Sequence, residues 1–154
     1  MSKARITLGI AAAGLALAGV VSLDSSTSEA KKKKPRGAKL RITDGDFGPI
    51  LTNGSGRALY LFTADRRKTS NCAGDCAVAW PPYIVKAKPL AGKGVRPGLI
   101  GTTRRADGRL QATYRDHPVY FYEADNERGE VLCQAVYEFG GFWYVLRANG
   151  KAVR

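Results

Sequence analysis

The sequence is poor in the side chains that most often carry out chemistry. Its 154 residues include one His, one Met and three Cys. The Met is the initiator, so no internal thioether is available as a metal ligand. There is no Gly-x-Ser-x-Gly, no Gly-rich phosphate-binding loop and no His-x3-His. These absences remove several common enzyme classes and favour a protein that is not an enzyme and needs no cofactor.

Acidic residues are also scarce. The chain has 25 Lys and Arg against 13 Asp and Glu, a formal charge of +12. From residue 37 onward the balance is 18 against 11, which leaves +7. The rest is concentrated in a predicted basic, disordered tail over residues 31–38, whose charges are Lys31, Lys32, Lys33, Lys34 and Arg36. We expect such a tail to bind anionic membranes or acidic wall polymers, with a solubilising spacer as the alternative.

The first thirty residues have the pattern of a secretory signal peptide. Lys3 and Arg5 precede the apolar run 6–23, and small residues surround a cleavage position at Ala30. A retained anchor is the alternative, although a run so short and so rich in Ala and Gly suits one poorly. No Cys ends the apolar run, which argues against a lipid-anchored N-terminus. We therefore predict a secreted or cell-envelope protein, outside the cytoplasm, for which nucleic acid is not an expected partner.

One short motif occurs twice, sixty positions apart. Tyr60-Leu61-Phe62-Thr63-Ala64-Asp65 is matched by Tyr120-Phe121-Tyr122-Glu123-Ala124-Asp125. A loop follows each copy and leads to a Trp, at positions 80 and 143. The chain therefore looks like one duplicated unit, with Tyr60, Asp65, Trp80, Tyr120, Asp125 and Trp143 as its motif residues.

Hydrophobic patterning predicts an all-β fold. The segment 58–63 is apolar on both faces, which is typical of a strand inside a sandwich or barrel. Turn residues predict antiparallel hairpins joining 50–52 to 58–63, 99–104 to 109–115 and 141–147 to 151–153. Beyond the first thirty residues, helical periodicity never persists for three turns. Only a short helical turn after Cys72 is expected.

These elements fit one small sandwich or barrel-like domain over residues 39–154. It would consist of two pseudo-repeats of antiparallel hairpins. Repeat one would cover about 45–85 and repeat two about 99–150, with a Lys-, Pro- and Gly-rich linker at 86–98.

The cysteines suggest a disulfide and leave a metal site as the alternative. Cys72 and Cys76 are four residues apart in a chain that we expect to be exported, which favours a disulfide. Such a bridge requires Cys72 to lie outside any helix, because residues four apart in a helix are too distant. The alternative is a copper- or thiol-dependent redox site formed by Cys72 and Cys76 with His117, to which Cys133 could add a third sulfur, since thiolate and imidazole suit copper.

Asp65 and Asp125 allow an acid/base hypothesis, because paired carboxylates carry out glycoside hydrolysis. A structural role is favoured. A short polar residue at a strand end hydrogen-bonds nearby backbone and starts a turn. One such residue per repeat is what two equivalent turns would need.

The aromatic run Phe142-Trp143-Tyr144 must alternate between two faces if it forms a strand. One of its members is then expected at the surface. An exposed aromatic ring beside Arg and Lys could stack on a sugar or another ligand.

Taken together, these motifs resemble the family of secreted repeats and predicted lipoproteins described by a Tyr-x4-Asp motif. The resemblance covers roughly residues 50–150. It implies a secreted or envelope location and a tandem repeat, with no established activity. Many members are anchored through a Cys that this chain lacks, and Cys133 stands where the family usually has Gly. The residues that carry it are Leu59-Tyr60-Leu61-Phe62-x-x-Asp65, Cys72-x-Gly74-x-Cys76-x3-Trp80-Pro81-Pro82, Ala106-Asp107-Gly108, His117-Pro118-Val119-Tyr120-x4-Asp125 and Gly140-Gly141-x-Trp143-Tyr144-Val145.

Overall fold

The computed structural model describes residues 37–154. The predicted signal peptide and the basic residues Lys31–Arg36 lie outside the described residues. The first strand begins at Lys39, and just before it the Ala38 carbonyl accepts a hydrogen bond from the Leu90 N–H at 2.8 Å. Among the described residues, no helix is long and apolar enough to cross a membrane.

The described chain is nearly all β-structure, as predicted. Its one α-helix, α1 (Asp75–Ala79), is the short helical turn expected after Cys72, and a 3-10 helix covers Pro97–Leu99. The strands are β1 (Lys39–Gly45), β2 (Gly48–Asn53), β3 (Tyr60–Phe62), β4 (Leu90–Ala91), β5 (Ile100–Arg104), β6 (Leu110–Tyr114), β7 (His117–Pro118), β8 (Val136–Glu138) and β9 (Gly141–Val145).

The strands form three small sheets. Their orders are β2-β1-β4, β3-β9-β8 and β5-β6-β7. All neighbouring strands are antiparallel except β1 and β4. The sheets do not close into a barrel, so the domain is sandwich-like.

All three predicted hairpins form, but two of them are short. β5 and β6 pair as expected, and a bridge between Leu146 and Ala152 closes the last hairpin. The hairpin predicted between 50–52 and 58–63 reduces to a bridge between Thr52 and Ala58. β2 pairs with β1, and β3 pairs with β9 from the other end of the chain. Both edges of β3 are thereby occupied, by β9 on one side and by Tyr120 on the other.

β3 divides two hydrophobic cores, which confirms the prediction that both of its faces are buried. Tyr60 and Phe62 pack into the first core, and Leu59 and Leu61 pack into the second. The second copy of the motif alternates in the same way. Its members are Tyr120 and Tyr122 for the first core, and Val119 and Phe121 for the second.

The two copies of the motif meet at their first tyrosines. Tyr60 and Tyr120 form an antiparallel bridge in which each N–H donates to the other's carbonyl, at 2.9 and 3.0 Å. On its other side β3 pairs with β9, where Tyr60 lies opposite Val145. Gly141 allows this approach, because a Cβ there would lie 2.7 Å from the Phe62 ring. The duplicated motif therefore sits at the centre of the domain.

Candidate functional site

The motif residues form two crossed Tyr–Asp pairs. The Tyr60 hydroxyl donates to Asp125 Oδ2 at 2.5 Å, and the Tyr120 hydroxyl donates to Asp65 Oδ2 at 2.7 Å. Each repeat therefore supplies the Tyr for the other repeat's Asp. The antiparallel bridge between the two tyrosines produces this exchange, because it points the side chains of one copy toward the end of the other.

Each Asp also closes a turn, in line with the structural role favoured by the sequence. Asp65 follows the end of β3, and its Oδ1 accepts the backbone N–H of Asn71 at 2.6 Å. Asp125 Oδ1 accepts the N–H of Leu132 at 3.0 Å. In both turns one carboxyl oxygen faces its own loop and the other faces the partner repeat. The sequence predicted the turns but gave no sign of the exchange.

Burial shifts the pKa values of all four groups. It raises the pKa of Tyr60 and Tyr120 above their usual range, helped by the neighbouring carboxyl groups, so both stay protonated hydroxyl donors. Burial raises the pKa of Asp65 to about 6, although the N–H of Asn71 and the Tyr120 hydroxyl oppose it. Burial also raises the pKa of Asp125, which is 0% exposed.

Between the crossed pairs lies a stack of aromatic rings. Trp80 and Trp143 are fully buried and stack at 4.1 Å with 5° between their planes. Each motif Tyr meets its own repeat's Trp edge-on, Tyr60 against Trp80 and Tyr120 against Trp143. In each repeat the aromatic residue two positions after the motif Tyr contacts the Trp of the other repeat. Phe62 stacks on Trp143, and Tyr122 packs on Trp80.

One residue of β8 binds both indoles. Glu138 Oε2 accepts from Trp80 Nε1 at 2.9 Å, and its carbonyl accepts from Trp143 Nε1 at 3.3 Å. Each buried indole thus has the partner that it needs. All six motif residues are therefore brought together in one structural cluster, where they bond mainly to each other.

A buried arginine stabilises the loop that follows Asp65, and the sequence did not predict its burial. Arg105 is 8% exposed and donates to Ser70 Oγ at 2.6 Å, to Gln111 Oε1 at 2.8 Å and to the Cys72 carbonyl at 2.6 Å. The Tyr120 hydroxyl lies 2.7 Å from the same Ser70 Oγ. A lone Arg in a run of surface-like residues carries no sequence signal for such burial.

The predicted disulfide is present. Cys72 and Cys76 are joined, with Cα atoms 5.3 Å apart, and both are buried in the first core. Cys72 lies before α1, as the bridge requires. His117 lies elsewhere, at the start of β7. Within residues 37–154, no group of three or more His, Cys, Asp or Glu side chains is placed to hold a metal ion.

Cys133 is the free thiol among the described cysteines, and it is half-buried against the first core. The Cys133 thiol raises the pKa of the neighbouring Tyr122 hydroxyl to about 12. Burial raises the pKa of the Cys133 thiol, which Tyr122 partly opposes. Within residues 37–154, Cys72, Cys76, His117 and Cys133 do not form a group placed to hold a metal ion.

Beside the crossed pairs an open groove of about 520 Å³ reaches the surface, within the size range of ligand sites. β3 and Tyr144 of β9 form its apolar floor. The turn after β6 and the segment 150–154 also line it, and we call these residues its rim. It is lined by Leu61, Phe62, Thr63, Asp65, Arg115, His117, Tyr144, Gly150, Lys151, Ala152 and Arg154.

The rim of this groove is cationic. Arg115, Lys151 and Arg154 line it, and none of them forms an ion pair with a carboxylate in the described part of the chain. His117 stays neutral at neutral pH, because burial lowers its pKa and nearby arginines lower it further. The one acidic residue in the lining, Asp65, is already engaged by Tyr120 and Asn71.

Two tight turns position the rim. Arg115 has a positive φ of 50° in the two-residue turn between β6 and β7, a geometry that favours Gly or Asn. Its guanidinium donates to the Asn149 carbonyl at 3.2 Å. Gly150 makes room for it, because a Cβ there would lie 2.5 Å from Arg115 Cβ. The predicted Asn-Gly turn thus holds Arg115 at the groove.

A row of aromatic rings leads away from the groove along the outer face of β9 and β8. We call Tyr144, Phe142 and Tyr137 the aromatic strip. Tyr144 and Phe142 have ring centroids 5.9 Å apart, and Phe142 and Tyr137 are 5.0 Å apart. Phe142 is 41% exposed and Tyr137 is 63% exposed, while Trp143 between them is buried. The alternation expected for 142–144 therefore occurs, and it exposes Phe142.

Comparison with known proteins places the chain in a family. No curated protein and no solved structure gives a significant match. A family model described as a secreted repeat of unknown function matches residues 41–83 and residues 101–147. The two matches contain the two copies of the motif, and together they cover more than half of the chain. The chain therefore belongs to this family of secreted repeats.

Proposed function

We propose that this protein is a non-catalytic module of the cell envelope or its surroundings, held at anionic surfaces by its basic charge. A location outside the cytoplasm follows from the family and agrees with the intramolecular disulfide. The surface, the binding mode and the lack of catalysis are the parts that we add.

The observation that carries the proposal is the internal use of the duplicated motif. A catalytic acid or base must reach a substrate. Asp125 is fully buried, and both of its carboxyl oxygens accept hydrogen bonds from the protein. Asp65 has equivalent partners. The most distinctive residues of the sequence therefore join the two repeats, which supports a structural and binding role over catalysis.

Charge supports binding to anionic surfaces. The folded residues carry +7 before the tail is counted, and the tail adds five cations within six residues. Each Lys or Arg near an anionic membrane contributes about 1 kcal/mol to binding, and salt weakens that contribution. Five of them could hold the protein at a membrane or an acidic wall polymer without a specific pocket.

The experiment measures binding of the exported protein to phosphatidylglycerol-containing vesicles and to isolated wall polymer at low and high salt. Changing Lys31, Lys32, Lys33, Lys34 and Arg36 to Gln should abolish the salt-sensitive binding. Changing the four Lys to Arg keeps the charge and should keep the binding. Unchanged binding by the Gln variant would reject the tail as the attachment.

The copper or thiol-redox function remains a second hypothesis with its own test. It requires Cys72 and Cys76 to become free thiols, whereas in the structure they are bonded to each other. Titration of the exported protein with a thiol reagent, with and without Cu(I), separates the two. One reactive thiol and no copper uptake supports the non-catalytic module. Three thiols and stoichiometric copper would support the redox function instead.

A further inference from the structure

We propose that the cationic groove and the aromatic strip together form a binding site for an acidic saccharide, a sugar chain that carries carboxylate or phosphate groups. This deepens the proposed function, on which it rests, by giving the surface module a ligand class. All residues of the proposed site lie within residues 37–154.

The groove supplies the recognition of the anion. Arg115, Lys151 and Arg154 project around one opening and have no carboxylate partner among the described residues. Unpaired cations gathered at a concave site raise the local concentration of anions and form charge-assisted hydrogen bonds with carboxylate or phosphate. Arg115 is already fixed by Asn149, so part of its ordering cost is met before a ligand arrives.

The aromatic strip supplies a surface for the sugar rings. Tyr144 lies in the groove with the Arg154 guanidinium 5.7 Å from its ring centre, so a cation and an aromatic face occur side by side. From there Phe142 and Tyr137 continue the row toward solvent. Exposed aromatic side chains in a contiguous patch are uncommon on monomeric proteins and mark interaction sites. Two tyrosines in the strip also offer hydroxyls for hydrogen bonds.

The layout favours an extended chain over a lipid headgroup. The cations line the groove at the Tyr144 end of the strip, and Phe142 and Tyr137 follow at steps of 5.9 and 5.0 Å, so an extended ligand can place its charge in the groove and its rings along β9 and β8. A membrane-binding surface would instead have an exposed apolar protrusion surrounded by Lys and Arg side chains. The volume of about 520 Å³ accommodates a sugar-sized group but not a large folded partner.

The test uses the exported protein with its five tail cations changed to Gln, so that the tail cannot contribute. Isothermal titration at low salt would compare tetragalacturonate, a chain of four carboxylate-bearing sugars, with neutral maltotetraose. We expect binding to the acidic chain and none measurable to the neutral one. The double variant Lys151→Gln/Arg154→Gln should weaken binding at least about tenfold, since hydrogen bonds to charged groups are the strong ones.

A matched control removes the same charge elsewhere. Lys86 and Lys88 are exposed and lie outside the groove, so Lys86→Gln/Lys88→Gln should change affinity less than about threefold. Tyr137→Ser, at a 63% exposed position, should weaken binding without lowering thermal stability. If the two charge variants lose the same affinity for tetragalacturonate, the proposal is overturned, because binding then depends only on the overall positive charge. Failure to bind tetragalacturonate, with groove-dependent binding to phosphatidylglycerol vesicles, would overturn it in favour of a membrane. Neither result bears on attachment through the tail, because these measurements use a variant that lacks the five tail cations.

Discussion

The crossed pairs give the sharpest prediction, for Tyr60→Phe. This substitution removes one oxygen and leaves the ring in place against Trp80. Asp125 then loses the donor to its Oδ2 and keeps only the Leu132 N–H on Oδ1. Because Asp125 is 0% exposed, water cannot replace the lost donor unless the loop opens.

The expected cost is a loss of about 2–3 kcal/mol in the free energy of unfolding at neutral pH. A hydrogen bond to a charged group is worth about 1.5–3 kcal/mol, and a buried acceptor left unpaired bears its full desolvation cost. In a domain of this size that corresponds to a fall of roughly 8–12 °C in Tm. Tyr120→Phe should cost less, about 1–2 kcal/mol, because Asp65 lies at the open groove.

Urea unfolding followed by Trp fluorescence measures these values, with the m-value expected to stay constant. Tyr137→Phe is the matched control, since Tyr137 is 63% exposed, and it should change stability by less than about 0.5 kcal/mol. If Tyr60→Phe costs no more than this control, the crossed pair does not join the repeats as described. If Tyr60→Phe strongly lowers the free energy of unfolding and Tyr120→Phe does not, only the Tyr60–Asp125 pair stabilises the junction between the repeats.

Three further predictions follow from the same cluster. Replacing Cys72 and Cys76 by Ala should cost at least ~2 kcal/mol in urea unfolding, the loop-closure value for so small a ring, and a smaller loss would mean that the bridge constrains little. The native protein should show one titratable thiol, Cys133, and three after reduction in denaturant; three in the native state would contradict the disulfide. Burial raises the pKa of Asp65 from its ordinary value of 3.8 to about 6 in the folded protein, so its contribution to stability is complete below about pH 4 and is lost as pH rises through about 6. Asp65→Asn should therefore gain about 1–3 kcal/mol relative to the natural protein between about pH 4 and pH 7, and a difference that does not change with pH would refute this.

Much of the fold could be predicted because it depends on local pattern. Apolar residues on both faces of 58–63 required a strand with two buried sides, and β3 separates two cores. The spacing of Cys72 and Cys76 set a geometric condition that the structure meets. The location outside the cytoplasm and the duplication were visible as motifs, and the family match agrees with both.

The strand partners could not be predicted in the same way. Turn residues at 53–56 suggested that β2 would pair with the following strand, and a turn does form there, with Asn53 Oδ1 accepting from the N–H groups of Ser55, Gly56 and Arg57. β3 nevertheless pairs with β9, more than eighty residues away. Turn chemistry is local, whereas the partner along most of a strand is set by the tertiary packing of the whole domain.

The sequence by itself determined that Tyr60, Asp65, Tyr120 and Asp125 recur as a unit, and it predicted that each carboxyl group closes a turn. Only the tertiary structure decided that each Tyr bonds to the other repeat's Asp, because the antiparallel bridge between the tyrosines turns one copy against the other. The cationic groove arose in the same way. Its members come from a turn, a strand and the end of the chain, and only the packing of all three places them around one opening.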